Sequence, residues 1–352
     1  MARVTLQSIA DRLGVSRMTV SNAFSRPDQL SDALRTRILA EAADLGYLGP
    51  DPFARSLATG TSGTVGVLWA QDLRFALADE ISARFLGAVA DELAVSGLAL
   101  TLVPAGVGGP VVPARDVAMD GAIAFSCDPE LPALDWLQRR DLPLVYVDMT
   151  APKNQVAITI DDRGGARAAA QHLVDLGHRR VALVTTGFGD EPGPVSGPAP
   201  DAARRKLVIS ERHAGWMDAL EPAGITPVVV NQPGENADSR EAAARMLAGP
   251  NRPSAALCLT DVIAQTVLAA AADAGLRVPA DLAVVGFDDH PLTERTRPRL
   301  TTVRQDVDAK GREAARALLR LIALRSGSPG SRPRSRRLPV QLVVRGSTVA
   351  DT

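Results

Sequence analysis

Apolar residues in the first fifty positions recur at helical spacing in three short runs. The run TLQSIADRL predicts a helix with Thr5 as its N-cap and Gly14 ending it in the left-handed conformation. The run RMTVSNAFS predicts a second helix capped by Ser16, and Ser31 caps a third helix that ends at Gly46. Two short helices joined by Gly-Val-Ser, with a third to close a small core, are typical of a helix-turn-helix domain.

The next segment, residues 50–62, predicts one more short helix. Asp51 is a suitable N-cap, Pro52 suits the first helical position, and Gly60 suits the end. Because two turns are too few for a stable isolated helix, we expect this one to fold on a partner, either DNA or another chain. A plain linker is the alternative, and Leu57 weakens it because this apolar residue has no obvious core of its own.

From Thr64 onward, short β-rich runs alternate with helical periods, and a second series of such runs begins near Val156. This alternation predicts parallel βαβ units. The expected fold is therefore an all-α helix-turn-helix headpiece followed by an α/β core of two doubly wound parallel-sheet subdomains. A ligand cleft is expected between the subdomains, beyond the carboxyl ends of the strands.

The overall charge does not reveal the partner, but its distribution does. The chain has 352 residues, with 39 Lys and Arg against 40 Asp and Glu, for a net charge of −1. Residues 1–26 carry +3 and residues 1–60 carry +1, whereas the remainder carries −2. We therefore predict a small basic DNA-reading domain joined to a nearly neutral core.

The sequence lacks the residue patterns that several classes of function require. The Cys127 and Cys258 thiols lie in apolar runs that predict burial, the four histidines lack metal-ligand spacing, and no nucleophile or phosphate-loop motif stands out. No secretory signal and no apolar run of about 18 residues is present. We expect a cytoplasmic, nucleoid-associated protein with no cofactor, no metal, no enzymatic activity and no membrane contact.

The outward side chains of the second helix suit the reading of bases. An Arg such as Arg17 can donate to guanine O6 and N7, an Asn such as Asn22 can pair with adenine, and Met18 can contact a thymine methyl. An ordinary solvated helix face is the alternative. The agreement of the turn, the caps and the third helix favours DNA.

At these residues the chain closely resembles the LacI-type bacterial transcription regulators. The motifs that carry the resemblance are VTLQSIADRLGVSRMTVSNAFSRPDQLS and LRTRILAEAADLGYLGPDPFARSLATG, and the similarity continues through nearly the whole chain. The resemblance implies a homodimer on a near-palindromic operator, with the second helix in the major groove and Leu57 wedged into the minor groove. The implied DNA contacts are Thr5, Leu6, Ser16, Arg17, Met18, Thr19, Ser21, Asn22, Ser31, Tyr47, Arg55 and Leu57.

Two positions depart from the pattern of that family. Many members carry an acidic residue where this chain has Ser8, so we expect the first helix to lose a capping-box partner. An arginine is common where this chain has Asn22. We therefore do not expect the operator sequence of a known member to apply to this chain.

Polar residues at predicted strand ends are the candidates for effector binding. Asp148, Asp261 and Asp288 each follow an apolar strand, although Asp261 opens a helix and is an equally good cap. The resemblance adds Arg212 as an effector contact and matches Asp288 to an acidic residue that bonds polar groups of the effector. Phe75 is a candidate for stacking on a ligand. Asp161 and Asp162 are expected to cap the helix that follows.

The resemblance also implies how the chain divides. Residues 1–49 form the DNA-binding domain, 50–62 the hinge, and 63–352 the effector-binding and dimerisation core. Because the chain of that fold crosses between subdomains three times, the N-subdomain is expected over about 63–158 and 291–323, and the C-subdomain over about 159–290 and 324–346.

The function that follows is a homodimeric regulator, most often a repressor in that family, controlled by a small polar effector such as a sugar. Two alternatives come from other classes. The core alone also resembles periplasmic sugar-binding proteins, which makes a solute-binding protein the first alternative. An enzyme on the same core is the second.

Overall fold

The computed structural model describes residues 4–49, 51, 56–57, 59–69, 73–105, 112–188, 191–195, 201–232 and 237–350. They fall into two compact units, Met1–Gly63 and Thr64–Thr352. Within the described residues, no helix is both long and apolar enough to span a membrane.

The first unit is the predicted three-helix domain. Its helices are α1 (Leu6–Leu13), α2 (Arg17–Ser25) and α3 (Asp32–Asp44), with a short 3₁₀ helix at Pro27–Gln29. The hydroxyls of Thr5, Ser16 and Ser31 each accept a backbone N–H of the helix that follows, as predicted. The helices enclose a small core of Ile9, Ala10, Val20, Ala23, Ile38 and Ala42.

The expected loss of a capping-box partner at Ser8 is wrong. The Ser8 hydroxyl accepts the backbone N–H of Thr5 at 3.3 Å, while the Ser8 N–H donates to the Thr5 hydroxyl at the same distance. A serine is long enough to close this reciprocal pair, so α1 keeps a complete box.

Part of the predicted hinge helix lies outside the described residues. Pro52 and Arg55 are among those that are not described. Ser56 and Leu57 are helical, and the Gly60 N–H bonds the Ser56 carbonyl at 2.8 Å. Gly60 has a φ of 69°, as expected of a residue that ends a helix.

The second unit contains two sheets, each flanked by helices. In chain order its elements are β1 (Thr64–Trp69), α4 (Leu73–Ala78), α5 (Glu80–Val95), β2 (Ala99–Pro104), α6 (Pro113–Asp116), β3 (Gly121–Phe125), α7 (Pro132–Arg139), β4 (Leu144–Val147), β5 (Val156–Ile160), α8 (Asp162–Asp175), β6 (Val181–Thr185), β7 (Gly193–Val195), α9 (Asp201–Arg205), α10 (Leu207–Leu220), β8 (Val228–Asn231), α11 (Ala237–Leu247), β9 (Ala255–Cys258), α12 (Asp261–Asp273), β10 (Ala283–Asp288), β11 (Thr301–Gln305), α13 (Val307–Arg325), β12 (Arg336–Leu338) and β13 (Val340–Val343), with a 3₁₀ turn at Pro291–Glu294.

The predicted doubly wound architecture is confirmed. The first sheet has the order β12-β5-β4-β3-β1-β2 and is parallel throughout. The second has the order β13-β11-β10-β9-β6-β8-β7, with only β7 and β13 antiparallel among its described strands. We call each sheet with its helices a half. Asp148 and Asp288 lie at the carboxyl ends of β4 and β10, which are parallel strands of the two sheets.

The boundaries between the halves differ from the expected ones. The strand at Thr301–Gln305 was expected in the first half and lies in the second, where Val303 is fully buried in the core. Conversely, Arg336–Leu338 was expected in the second half and pairs with β5 in the first. Apolar alternation predicts a strand but does not indicate which sheet the strand joins. The chain passes from one half to the other near residues 161, 306 and 339, and only the structure shows these crossings.

Helix α13 belongs to the first half. It packs against α5 and against strands β3, β4 and β5. Gly311 permits this close packing, because a Cβ there would lie 2.8 Å from both the Ala88 side chain and the Phe85 carbonyl. The neighbouring residue, Lys310, is thereby held in the interior with only 1% of its surface exposed.

Candidate functional sites

The first candidate site is the outward face of α2. Met18 is 68% exposed, Arg17 is also exposed, and Asn22 is half-buried, while Val20 and Ala23 fill the core beneath them. The Ser16 cap and the core residues Val20 and Ala23 position α2, and Arg17, Met18 and Asn22 lie on the side of the helix away from that core. An Arg, a Met and an Asn can distinguish guanine, thymine and adenine respectively in the major groove.

The remaining predicted DNA contacts have different surroundings within the protein. Thr5, Ser16 and Ser31 are occupied as helix caps, and Thr19 shares a hydrogen bond of 2.8 Å with Ser16. Tyr47 packs edge to face on Phe24, and Leu6 also packs against the core, whereas Leu57 is 86% exposed. The Ser21 carbonyl accepts the Ser25 hydroxyl. Arg55 lies outside the described residues.

Sequence reasoning missed one residue near this face. The Asn22 side-chain amide donates to the Gln29 carbonyl oxygen at 3.1 Å. Gln29 lies in the 3₁₀ helix that follows α2, and no periodic pattern connects positions seven residues apart across a turn.

The second candidate site is a buried polar network in the second unit, and Arg212 is its centre. The Arg212 guanidinium donates to Asp162 at 2.8 Å and to Asp288 at 3.1 Å, and it also donates to the Leu259 carbonyl. The guanidinium Cζ atom lies 3.5 Å from the centre of the Phe287 ring. Arg212 and Asp288, both predicted effector contacts, are thus brought together inside the second half.

The network continues from Asp288 toward the first half. The Gln305 amide donates to Asp288 at 2.7 Å, and the Lys310 ammonium donates to the Gln305 carbonyl oxygen at 2.8 Å. Lys310 also forms an ion pair with Asp148, which follows β4 of the first sheet. The buried polar network consists of Asp162, Arg212, Asp288, Gln305, Lys310 and Asp148.

Burial raises the pKa of two acids of the network, Asp162 and Asp288. Burial raises the pKa of Asp162 to about 6, although the charge of Arg212 opposes the shift. Burial likewise raises the pKa of Asp288 against the opposing charges of Arg212 and Lys310. Asp162 therefore does more than begin a helix: Asp161 is the N-cap of α8, and Asp162 holds the Arg212 side chain.

Asp261 lies beside this network with its carboxylate occupied. It accepts the backbone N–H of His290 at 2.7 Å and the Thr302 hydroxyl at 2.6 Å, and it is 1% exposed. Thr260, not Asp261, is the N-cap of α12. Burial and the nearby Asp288 charge raise the pKa of Asp261 well above its usual value. Its contacts favour a supporting role beneath β10.

Two buried side chains in the described part of the second unit have polar atoms without a hydrogen-bond partner. One Asp148 carboxylate oxygen has no hydrogen-bond partner, and neither the oxygen nor the nitrogen of the Gln232 amide has one. Asp148 and Gln232 are 6% and 1% exposed. Each follows the carboxyl end of a parallel strand, β4 in the first half and β8 in the second. An unsatisfied buried polar group costs about 1–3 kcal/mol, so both positions favour a ligand with hydrogen-bonding groups.

Of the predicted effector contacts, Phe75 remains to be placed. It belongs to α4, but its side chain lies outside the described part of the molecule. The residues that sequence reasoning missed are Asp162 as a network member, Gln232, Gln305 and Lys310. Lys310 had a detectable signal, because it stands at an apolar position of the α13 period and is one of three lysines in the chain.

No group of three or more His, Cys, Asp or Glu among the described residues is arranged to hold a metal ion. Cys127 and Cys258 are buried free thiols, as predicted, and burial raises the pKa of Cys127 to about 12.

Comparison with known protein families gives two matches. Residues 5–49 match the family described as bacterial regulatory proteins, lacI family. Residues 170–348 match the periplasmic binding protein-like domain.

Comparison with individual proteins extends the similarity over nearly the full length. An HTH-type transcriptional regulator of Mycolicibacterium smegmatis is 38% identical over 334 residues, which cover 90% of each chain. The regulator IpsA of Corynebacterium glutamicum is 37% identical and covers 90% of this chain and 91% of its own. Among solved structures, the Lac repressor dimer bound to operator and the anti-inducer ONPF has a TM-score of 0.77 at 26% identity, covering 99% of this chain and 100% of that one. The CelR–cellobiose complex has a TM-score of 0.69 at 27% identity, with coverage of 98% and 100%.

Proposed function

The chain belongs to the LacI family of bacterial regulatory proteins, which are transcription regulators and not enzymes, and from that premise we propose its particular mode of action. It is a homodimeric repressor whose affinity for a near-palindromic operator is set by a small, uncharged polar effector. The effector binds between the two halves of the second unit. The protein acts in the cytoplasm, at the nucleoid.

The observation that carries the DNA-binding role is the outward face of α2, which presents Arg17, Met18 and Asn22 away from the core. Arg17, Met18 and Asn22 read bases, and Leu57 enters the minor groove. The remaining backbone and phosphate contacts come from Thr5, Leu6, Ser16, Thr19, Ser21, Ser31, Tyr47 and Arg55. Phosphate contacts fix the register of the headpiece but carry no sequence information, so specificity rests on the first three residues.

The small charge of one headpiece supports the proposed dimer. With a formal charge of only +1 over residues 1–60, a single headpiece attracts DNA weakly. Two headpieces on one palindrome add their contacts, and the symmetry of the operator matches that of the dimer. The similar Lac repressor structure is a dimer on its operator, and relatives from Photobacterium profundum and Escherichia coli are named repressors.

The proposed effector contacts are Asp148, Gln232 and the Arg212–Asp288 pair, with Phe75 as a stacking partner and Asp261 as a support. Each half contributes an unpartnered buried polar group at a strand end. A ligand can form hydrogen bonds with both groups at once only when both halves face it. Ligand binding is therefore coupled to the arrangement of the two halves.

The charges of the site favour an uncharged effector. Its two cations, Arg212 and Lys310, already face the carboxylates of Asp162, Asp288 and Asp148. A phosphate or carboxylate ligand would meet more acids than free cations and would be repelled. A ligand rich in hydroxyl groups can instead donate to Asp148 and exchange hydrogen bonds with Gln232. The similar CelR structure contains cellobiose, which is a compound of this class.

Selection from a randomised DNA library tests the regulatory role directly. The full chain is expected to enrich a near-palindromic site with two half-sites, and analytical ultracentrifugation is expected to give one dimer per site. Recovery of sequences with no common site would overturn the proposal. Recovery of single half-sites by a monomer would overturn its dimeric form.

A further inference from the structure

The hydrogen bond between Asn22 and Gln29 joins a base-reading helix to the turn that follows it. The Asn22 amide nitrogen donates to the Gln29 amide oxygen at 3.1 Å. Asn22 lies in α2, and Gln29 ends the 3₁₀ helix at Pro27–Gln29. The two side chains therefore form one polar unit beside Arg17 and Met18.

Backbone contacts hold Gln29 in this position. The Arg26 N–H bonds the Asn22 carbonyl at 2.8 Å, and the Gln29 N–H bonds the Arg26 carbonyl at 3.1 Å. The turn is thus tied to the end of α2 through consecutive hydrogen bonds. Gln29 can orient Asn22 because its own backbone is fixed relative to the same helix.

The direction of the bond decides what Asn22 presents to DNA. One N–H of the amide is occupied by Gln29, while the second N–H remains to donate. Within the described part of the chain, the Asn22 amide oxygen accepts no hydrogen bond. A free acceptor beside a free donor is the pattern that pairs with adenine N6 and N7.

From this arrangement we infer that Gln29 is a positioning residue for operator recognition, which holds the Asn22 amide in the orientation that reads adenine. The inference rests on the proposed function, since it assigns a role at the same DNA-reading face. Both side chains are partly exposed in the free protein, where water competes for the bond. Insertion into the major groove excludes that water and strengthens the orientation.

Three substitutions at position 29 separate positioning from other roles. Gln29→Met keeps the length of the side chain and removes its acceptor. Gln29→Glu keeps the acceptor and cannot donate in return, so it still holds Asn22 in the same direction. Gln29→Ala removes both length and acceptor. Asn22→Ala defines the base pair that Asn22 reads.

The experiment is selection of each full-length variant against the same randomised operator library as the wild type. Base preference at each position is scored separately from total affinity, because the added charge of Gln29→Glu weakens DNA binding uniformly. We expect Gln29→Met and Gln29→Ala to lower the preference at the Asn22 base pair by about 2- to 12-fold, the equivalent of one hydrogen bond. Gln29→Glu is expected to keep that preference.

The outcomes distinguish this inference from the proposed function. An unchanged preference in Gln29→Met, a loss in Gln29→Glu equal to that in Gln29→Met, or a loss confined to a different base pair would each overturn the positioning role while the regulatory function stands. A wild-type chain that selects no site would overturn the proposed function itself. A double variant, Asn22→Ala with Gln29→Met, is expected to match Asn22→Ala alone at that base pair, and a further loss there counts against the inference.

Discussion

The Lys310 ammonium donates to the Gln305 amide oxygen at 2.8 Å, and this bond joins a helix of the first half to a strand of the second. Gln305 passes the connection to Asp288, which is paired with Arg212. Lys310 is also paired with Asp148, the residue with a free carboxylate oxygen. A ligand that bonds Asp148 therefore acts on the contact between the halves.

Removal of the Lys310 charge is expected to destabilise the second unit. Lys310→Met keeps the length of the side chain but leaves Asp148 buried without its cation. Breaking a buried ion pair in this way costs about 3–5 kcal/mol. Urea denaturation followed by circular dichroism measures the change in the free energy of unfolding.

Two controls accompany this variant. Lys153 is exposed, so Lys153→Met is expected to change the free energy of unfolding by less than about 0.5 kcal/mol. Adding Asp148→Asn to Lys310→Met removes the unpaired charge and should recover part of the loss. Equal effects of the two lysine variants would contradict the buried pairing.

The raised pKa of Asp162 predicts that the stability of the protein depends on pH. Its pKa is raised from 3.8 to about 6, so the folded state retains a proton that the unfolded state releases. Its contribution to stability is therefore fully present below pH 3.8 and is lost as the pH rises through about 6. The free energy of unfolding of the wild type minus that of Asp162→Asn should therefore fall as the pH rises from 4 to 6 and then level off.

The matched variant for this titration is Asp218→Asn. Its hydrogen bond with Arg163 lowers the pKa of Asp218, so the stability that it contributes is lost only as the pH falls below its usual value. Over pH 4 to 7 the difference between the wild type and Asp218→Asn should stay level. A level difference for Asp162→Asn as well would show that Asp162 titrates normally.

Arg17 is expected to specify one base position. Arg17→Ala should weaken operator binding by about 1–3 kcal/mol and relax the preference at a single base pair of each half-site. Arg37→Ala removes the same charge from an exposed position on α3 and should leave the base preference unchanged. Library selection with both variants checks the assignment, and identical profiles for Arg17→Ala and the wild type would refute it.

Leu57 is expected to affect DNA binding without affecting folding. Because its side chain is 86% exposed, Leu57→Ala removes little packing from the free protein. The loss of an apolar wedge should weaken operator affinity and reduce DNA bending in a gel-shift assay with permuted sites. Leu48 is also fully exposed, and Leu48→Ala should change neither property. Equal bending by both variants would exclude the wedge.

Much of the first unit could be predicted from the sequence because its information is local. Thr5, Ser16 and Ser31 cap helices by bonding N–H groups three residues away, and Gly14 ends α1 through its own backbone conformation. The one local error was Ser8, where the short hydroxyl was assumed unable to replace a carboxylate.

The candidate effector site was only partly predictable because its contacts are distant in sequence. Asp148 and Asp288 could be recognised as strand-end residues. However, the pairing of Asp148 with Lys310 joins positions 162 residues apart, and it depends on α13 returning to the first half. Asp162 looked like a cap because it stands beside the true cap, Asp161. Gln232 has no distinguishing pattern at all.

The most direct test of effector control is the operator affinity of the full chain with and without a bound effector. A panel of uncharged sugars and nucleosides, including ribose and cellobiose, is first screened by thermal shift, where a ligand at 100 times its Kd adds about 2.7 kcal/mol of stability. Operator Kd is then measured at saturating concentration of the compound that stabilises most. We expect the operator Kd to change by about 5- to 150-fold when the compound is bound. An operator Kd that is the same with and without the bound compound would contradict effector control.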